Sequence, residues 1–572
     1  MKTNMQRYLV VWCLAVASSF ASIKADPVYT KVSVTTSGIN HDNTNAPNCS
    51  PMQMKSGVTA LDYNGDGWTD LFFTRVGQTD ILYRNVNGTF YNLSSSAGFT
   101  QEFNSTGCVS GDVDNDGDPD LYITSLCDKR FYLYINNNGV FTEVAQQRGA
   151  ALDSPVPLVG TSATMGDYDG DGYLDIHTCE WRLHDSQGYM NHSRLLRNRG
   201  AAQPGFFDDV TEEAGVMLDE IFAGQPGDPG NGVWSLASRF CDIDQDGHLD
   251  LLLASDFCTS RLFWNNGDGT FTDGTEAGNL GTDCNGMGNA VGDFDGDGLL
   301  DWFITTINDN RLYRNNGDRT FTDMTDQDAT HSVRRGGWGW AAAFLDYDND
   351  MDVDLAMTNG YPAIPFPEQN VMWENHFGRY TNVSTEVGFT ETTYGMGLLT
   401  FDYDKDGDLD VLMTNNVTVP ILYRNDGDYG DNRWLRVKGI GTVSNRDGYN
   451  AYVIVTPNRA RPKSRCVTEI SAGNNFLSQN EGIAHIGLGS HSGPIGKVEI
   501  RWPSGIVQEL RDVQSNQLIT VMEPSCVKTN YYTPPYPVGD VNHDCRVNYL
   551  DFPEGNPWDI MANWLECTVQ CH

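Results

Sequence analysis

A nine-residue acidic loop, repeated seven times, constrains this chain more than any other feature. Its fullest copy runs Asp293-Phe294-Asp295-Gly296-Asp297-Gly298-Leu299-Leu300-Asp301, with carboxylates at positions 1, 3, 5 and 9. Glycine at position 6 takes the sharp turn that lets the position 7 carbonyl join those side chains. Hard oxygen ligands packed this densely suit calcium better than zinc or magnesium. Without a cation, such like charges would repel one another or take up protons. The copies begin at Asp62, Asp112, Asp167, Asp242, Asp293, Asp346 and Asp402, in steps of 50, 55, 75, 51, 53 and 56 residues. Repeats of this length, built from short strands and turns, predict a β-propeller with one blade per repeat. Ordinary solvated Asp-Gly surface loops would not keep the same spacing in every copy.

The chain has 572 residues, and seven blades would use most of them. Lys2 and Arg7 precede an apolar run from Tyr8 to Ala17, and small residues lead to Ile23-Lys24-Ala25. This reads as a secretory signal peptide over 1–25, with Ala21 as the rival cleavage site, and predicts a secreted, extracellular protein without a membrane span. Of thirteen cysteines, Cys13 falls in the signal segment and twelve remain, an even number that fits an oxidising compartment. Sequons at Asn48, Asn87, Asn92, Asn104, Asn191, Asn382 and Asn416 permit N-glycosylation. The 37 basic and 76 acidic side chains give a net charge of −39, and thirty of the aspartates lie in the seven loops. Seven calcium ions would bring −39 only to −25, which argues against nucleic acid and anionic membranes as partners.

Each loop is followed by an apolar segment such as Leu251-Leu252-Leu253-Ala254, a buried strand, and then by an aromatic hairpin. The hairpin reads Leu312-Tyr313-Arg314-Asn315 through Thr320-Phe321-Thr322-Asp323, joined by an Asn-Gly turn. Loops and hairpins together resemble the FG-GAP/VCBS repeats of integrin α-subunit propellers, over about residues 28–430. The resemblance implies an all-β, seven-bladed propeller over 26–430 with one calcium ion per loop. It assigns as ligands Asp62, Asn64, Asp66 and Asp70; Asp112, Asp114, Asp116 and Asp120; Asp167, Asp169, Asp171 and Asp175. The series continues with Asp242, Asp244, Asp246 and Asp250; Asp293, Asp295, Asp297 and Asp301; Asp346, Asp348, Asp350 and Asp354; Asp402, Asp404, Asp406 and Asp410. Asn64 removes one charge from the first loop, and Met351 stands where the sixth should have glycine. The last repeat lacks its outer strand, and Tyr29-Thr30-Lys31-Val32 matches what is missing. The amino terminus is therefore expected to close the ring, leaving no free edge.

The third repeat is lengthened between Trp181 and Trp234 by Pro- and Gly-rich insertions that read as recognition loops. Arg334-Arg335-Gly336-Gly337-Trp338-Gly339-Trp340 is either a binding stretch or a blade strand with core tryptophans. Over 431–524 the acidic loops stop, and Ser444-Asn445-Arg446-Asp447-Gly448, Phe476-Leu477-Ser478-Gln479-Asn480 and Arg501-Trp502-Pro503-Ser504-Gly505 resemble the ASPIC/UnbV domain. Propeller and small β-rich domain together are the arrangement of the cartilage acidic protein family. The Cys-rich tail, 525–572, resembles a single dockerin-type calcium loop with ligands Asp540, Asn542, Asp544, Asn548 and Asp551. Cysteines Cys108 and Cys127 flank the second loop and are expected to bridge, as are Cys526, Cys545, Cys567 and Cys571 among themselves. Function divides between a secreted calcium-binding adhesion or matrix module, with a protein or glycan ligand, and a polysaccharide lyase-like enzyme on the same propeller. The enzyme reading would need His184, His331 or His485 beside an arginine in one cleft; no catalytic constellation is recognisable.

Overall fold

The computed structural model describes residues 28–43, 54–181, 193–218 and 233–525, apart from Ala329, 362–366, 462–464 and Asn474. The signal segment, the tail loop and the tail cysteines, His184 and most of the third-repeat insertion lie outside the described residues.

Seven sheets carry the seven repeats. In the fourth, the inner strand Trp234–Cys241 leads through the acidic loop to Asp250–Asp256, then to Arg261–Asn265 and the outer strand Phe271–Asp273, all antiparallel. The two inner strands are buried at every residue, because neighbouring sheets cover both their faces. The outer strand alternates, with Phe271 buried and Thr272 and Asp273 exposed. Inner strands abut in chain order, and the seventh, Gly395–Phe401, packs against both the sixth, Gly339–Leu345, and the first, Val58–Leu61. The sheets therefore form a closed ring, a β-propeller. Tyr29–Lys31 completes the seventh sheet, antiparallel to Ile421–Asn425, in the place its sequence gave it.

Two sets of side chains stitch the blades together. The asparagine that ends each Leu-Tyr-Arg-Asn-type strand is buried, and its backbone N–H donates to the position 9 carboxylate of its own loop. Its Nδ2 donates to the carbonyl of position 2 in the preceding loop: Asn136 to Tyr63, Asn315 to Ile243 and, across the closure, Asn85 to Tyr403. At the other end of the channel, threonine hydroxyls of the second strands donate to the next blade, and Thr414 donates to Ser56 at 2.5 Å to close the circle. Strands crowd at the axis, where a Cβ on Gly107 would sit 2.0 Å from the Thr161 carbonyl oxygen.

Residues from Arg433 onward form two further sheets. One orders Ala484–Gly489, Arg433–Ile440 and Leu518–Met522; the other orders Cys466–Glu469, Tyr452–Thr456, Lys497–Arg501 and Val507–Leu510. Their core, including Leu435, Val453, Val498 and Trp502, runs without a break into Val109, Met165 and Leu174 of the ring. This domain caps the acidic-loop face of the propeller. It hydrogen-bonds to loops one, two, four, five, six and seven, through Glu481, Asp447, Tyr452, Arg465, His485 and Arg436. Val443 packs against Gly172 of the third. One cap segment enters the channel itself: Ser478–Gln479 pairs parallel with Val58 and Thr59, and Phe476 stacks on Trp340 at 5.2 Å. Phe476 and Leu477 hold φ of 136° and 52°, a strained conformation for bulky side chains that persists only because packing fixes it.

Several expectations need correction. Cys108 lies opposite Ile123, and Cys127 is four residues further along, about 13 Å at the rise of a strand. That offset is too long for the expected disulfide. Among the described residues, a bridge joins Cys258 to Cys284 on the face away from the cap. Trp340 is a core residue whose Nε1 donates to the Gly360 carbonyl, and Arg334 is held by Asp309 and Asp326. Both favour the blade-strand reading of that stretch. Sequons Asn87, Asn92 and Asn382 are exposed and Asn104 half-buried, whereas Asn416 is buried and Asn48 and Asn191 lie outside the described residues.

Candidate metal centre

All seven loops fold alike. Position 6 has φ between 80° and 101°, whether glycine or, at 87°, Met351. Position 4 is also left-handed, at Gly65, Asn115, Gly170, Gln245, Gly296, Asn349 and Lys405. The position 1 carboxylate accepts the position 6 N–H, as Asp293 does from Gly298 at 3.0 Å and Asp346 from Met351 at 3.0 Å. Position 5 accepts the position 7 N–H, as Asp297 does from Leu299. These bonds turn the side chains inward. Donor oxygens of Asp112, Asp114 and Asp120, of Asp167, Asp169 and Asp175, of Asp242, Asp244 and Asp246, and of Asp293, Asp295 and Asp297 lie within 4.8 Å of one another.

The position 9 aspartates are buried in every loop and do double duty. Asp301 accepts the Phe294 N–H on one oxygen and the Asn315 N–H on the other. They tie the third strand to the loop, a role that sequence spacing alone did not reveal, and each oxygen keeps a second lone pair for a cation.

The electrostatics fit a divalent cation. Burial pushes the carboxyls of Asp112, Asp167, Asp242, Asp293 and Asp402 up to about 7, and Asp70 up to about 8. Burial, with the neighbouring carboxylates, raises Asp175, Asp250, Asp301, Asp346, Asp354 and Asp410 well above the usual range. Carboxylate oxygens Asp114 Oδ1, Asp293 Oδ1 and Asp404 Oδ1 are buried without a hydrogen-bond partner among the described residues. Buried oxygens of this kind cost energy unless something coordinates them. Arginines supply part of the neutralisation: Arg84 at Asp66, Arg148 at Asp114, Arg319 at Asp244 and Asp246, and Arg436 at Asp402. In the sixth loop, Asp350 and Asp352 group with His376 from the adjoining hairpin, a neighbour absent from the sequence-derived set.

Among the described residues, the two histidines of the enzyme reading, His331 and His485, do not converge. His331 is a surface residue bonded to Asp328, and His485 is half-buried against Trp434 with Nε2 on Asn349 Oδ1 at 2.8 Å. Burial and nearby Arg436 lower His485 to about 3.

Comparison with known proteins matches residues 62–123, 123–178, 242–304 and 293–357 to the FG-GAP-like repeat and residues 441–528 to the ASPIC and UnbV family. The chain thus carries FG-GAP-like repeats followed by an ASPIC and UnbV domain. This FG-GAP and ASPIC/UnbV chain is similar to cartilage acidic protein 1 of Homo sapiens, 24% identical over 551 residues that cover 90% of this chain and 77% of the relative. It is also similar to cartilage acidic protein 1 of Xenopus tropicalis, 23% identical over 87% of this chain and 77% of that one. Among solved structures, an Agrocybe aegerita lectin recognising non-reducing terminal N-acetylglucosamine aligns with 66% of this chain and 96% of its own. The TM-score there is 0.40 at 17% identity. YCF48 bound to D1 peptide aligns with 66% of this chain and 95% of its own, at a TM-score of 0.36 and 9% identity. No helix among the described residues is long and apolar enough to cross a membrane.

Proposed function

We propose that this FG-GAP and ASPIC/UnbV protein is a secreted, calcium-loaded binding or matrix protein, not an enzyme, whose ions are chiefly structural. The observation that carries the reading is the set of buried, inward-turned loop carboxylates with oxygens left unpartnered at Asp114, Asp293 and Asp404. Calcium bound there would neutralise repelling charge and fix each turn between the first two strands of its blade. Because the cap rests on these loops, the same ions would support its docking. Extracellular residence is supported by the apolar amino-terminal run, the Cys258–Cys284 bridge and the similarity to proteins named for cartilage. Any ion that binds only the folded state stabilises it by RT ln(1 + [L]/Kd) per site, and seven sites multiply that term.

Elemental analysis of exhaustively dialysed protein tests the stoichiometry: about seven calcium ions are expected in the ring, with the tail loop at Asp540 as a further site. Two or fewer tightly held ions would sink the reading. Chelation should lower the melting temperature and expose loops to proteases; an unchanged pattern would show that the fold stands without calcium.

A further inference from the structure

The cap reverses the charge of the rest of the chain. Between residues 433 and 525 it has eleven basic and seven acidic side chains, within a protein of net charge −39. Several of these cations surround one groove of about 310 Å³ on the outer sheet, floored by Ile454 and Thr456 and lined by Arg459, Arg465, Lys497 and Arg501 with a single carboxylate, Glu499. Strand register builds it: Thr456, Ile454 and Tyr452 stand opposite Lys497, Glu499 and Arg501, so three alternate residues of Lys497–Arg501 share one face. Glu499 sits between its neighbours, 2.8 Å from Lys497 Nζ and 2.8 Å from Arg501 Nε. It therefore holds both cations in place while neutralising only one charge. Arg459 is anchored on the Gly496 carbonyl, with Nη2 3.5 Å from Glu509. Arg465 reaches the Asp297 carbonyl at 3.4 Å and, among the described residues, has no carboxylate within ion-pair distance.

We infer that this groove binds a sulfated polysaccharide chain. Guanidinium forks match the paired oxygens of sulfate and carboxylate, and the side chains of Arg459 and Arg501 remain 49% and 44% exposed to receive them. Shape and long-range charge select the chain form. A broad anionic surface would face the acidic ring as well as the groove, whereas a thin chain lying in the groove stays within about one Debye length, ~8 Å, of its cations. The inference rests on the extracellular binding reading and adds a ligand class to it.

The test is retention of the calcium-loaded full chain on immobilised heparin, with a chemically desulfated chain and anionic phospholipid vesicles as parallel probes. The wild type should be retained at physiological salt and released as salt rises. The double variant Arg459→Ser/Arg501→Ser should bind about tenfold more weakly at an unchanged melting temperature, while Arg199→Ser, an exposed ring residue paired with Asp208, should bind like the wild type. Equal retention of the double variant, equal binding of the desulfated chain, or preference for the vesicles would overturn the inference. A wild type that ignores heparin yet holds its calcium overturns this inference alone and leaves the calcium reading standing.

Discussion

Arg436 joins the cap to the ring, and its removal is the sharpest test of how the two are held. Its side chain is 4% exposed; Nη1 donates to Asp402 Oδ2 at 2.7 Å, and Nη2 pairs with Glu481. Asp402, itself 3% exposed, is position 1 of the seventh loop and also accepts the N–H groups of Asp406 and Gly407. Replacing Arg436 by methionine keeps the packed stem and deletes the charge, leaving two carboxylates facing each other out of water. Breaking a buried pair from one side costs about 3–5 kcal/mol, mostly the penalty of the orphaned charge. In a chain of this size each kcal/mol shifts a melting temperature by about 1 °C, so Arg436→Met should lower it by roughly 3–5 °C. Limited proteolysis should then cut between ring and cap. Adding Glu481→Gln removes one of the stranded charges and should recover part of the loss, a coupling visible in a double-mutant cycle. A single variant that melts and digests like the wild type would refute the idea that this ion triad secures the interface.

Other substitutions probe separate parts of the argument. Asn315→Ala frees the Ile243 and Leu300 carbonyls that its Nδ2 satisfies at 2.7 and 3.2 Å; a loss of about 1–3 kcal/mol in denaturant titration is expected, with the calcium count unchanged. Met351→Gly relieves a side chain held at φ 87° and should stabilise the protein by about 1 kcal/mol, again without altering stoichiometry; a destabilised variant would mean that the methionine contacts outweigh the strain. His41 is kept neutral by burial and by Arg75, which lower it to about 3. An unfolded histidine titrates near 6.5, so the unfolded state takes up the proton first. Stability should fall by about 1.4 kcal/mol per pH unit below that value, down to about pH 3. His41→Gln should flatten this part of the pH profile measured by thermal melts.

The acidic loops and the hairpins were legible because their chemistry is local. Carboxylates at fixed spacing, a left-handed position 6 and alternating aromatic strands each leave a pattern within about twenty residues of sequence. Ring closure by Tyr29–Lys31 was legible for a different reason: the last repeat lacked a strand and the first segment matched it. What escaped depends on pairs distant in sequence. Nothing near Asn85 indicates that its Nδ2 reaches Tyr403, and nothing near Phe476 says that it enters the channel. The recurrence of asparagine at the end of every third strand was a usable signal for the first. The strands that flank the second loop are neighbours, as the Cys108–Cys127 expectation requires, but their register sets Cys108 opposite Ile123, and register is not written in either strand alone. Arg436 and Asp402 meet only because the cap docks on the seventh loop.

The strand that closes the ring is made first and used last. Tyr29 donates its hydroxyl to the Leu409 carbonyl, 380 residues away, and at a synthesis rate of about 5–20 residues per second that partner emerges roughly 20–80 s later. Until then the amino-terminal segment has no sheet to join, and the first blade has no seventh neighbour to cover its flank. The plug at Ser478–Gln479 comes later still. A growing chain must therefore carry an open-edged, negatively charged intermediate through most of its production, held off aggregation by that same charge. Truncation anywhere before residue 425 would yield not a smaller propeller but an arc with two raw edges.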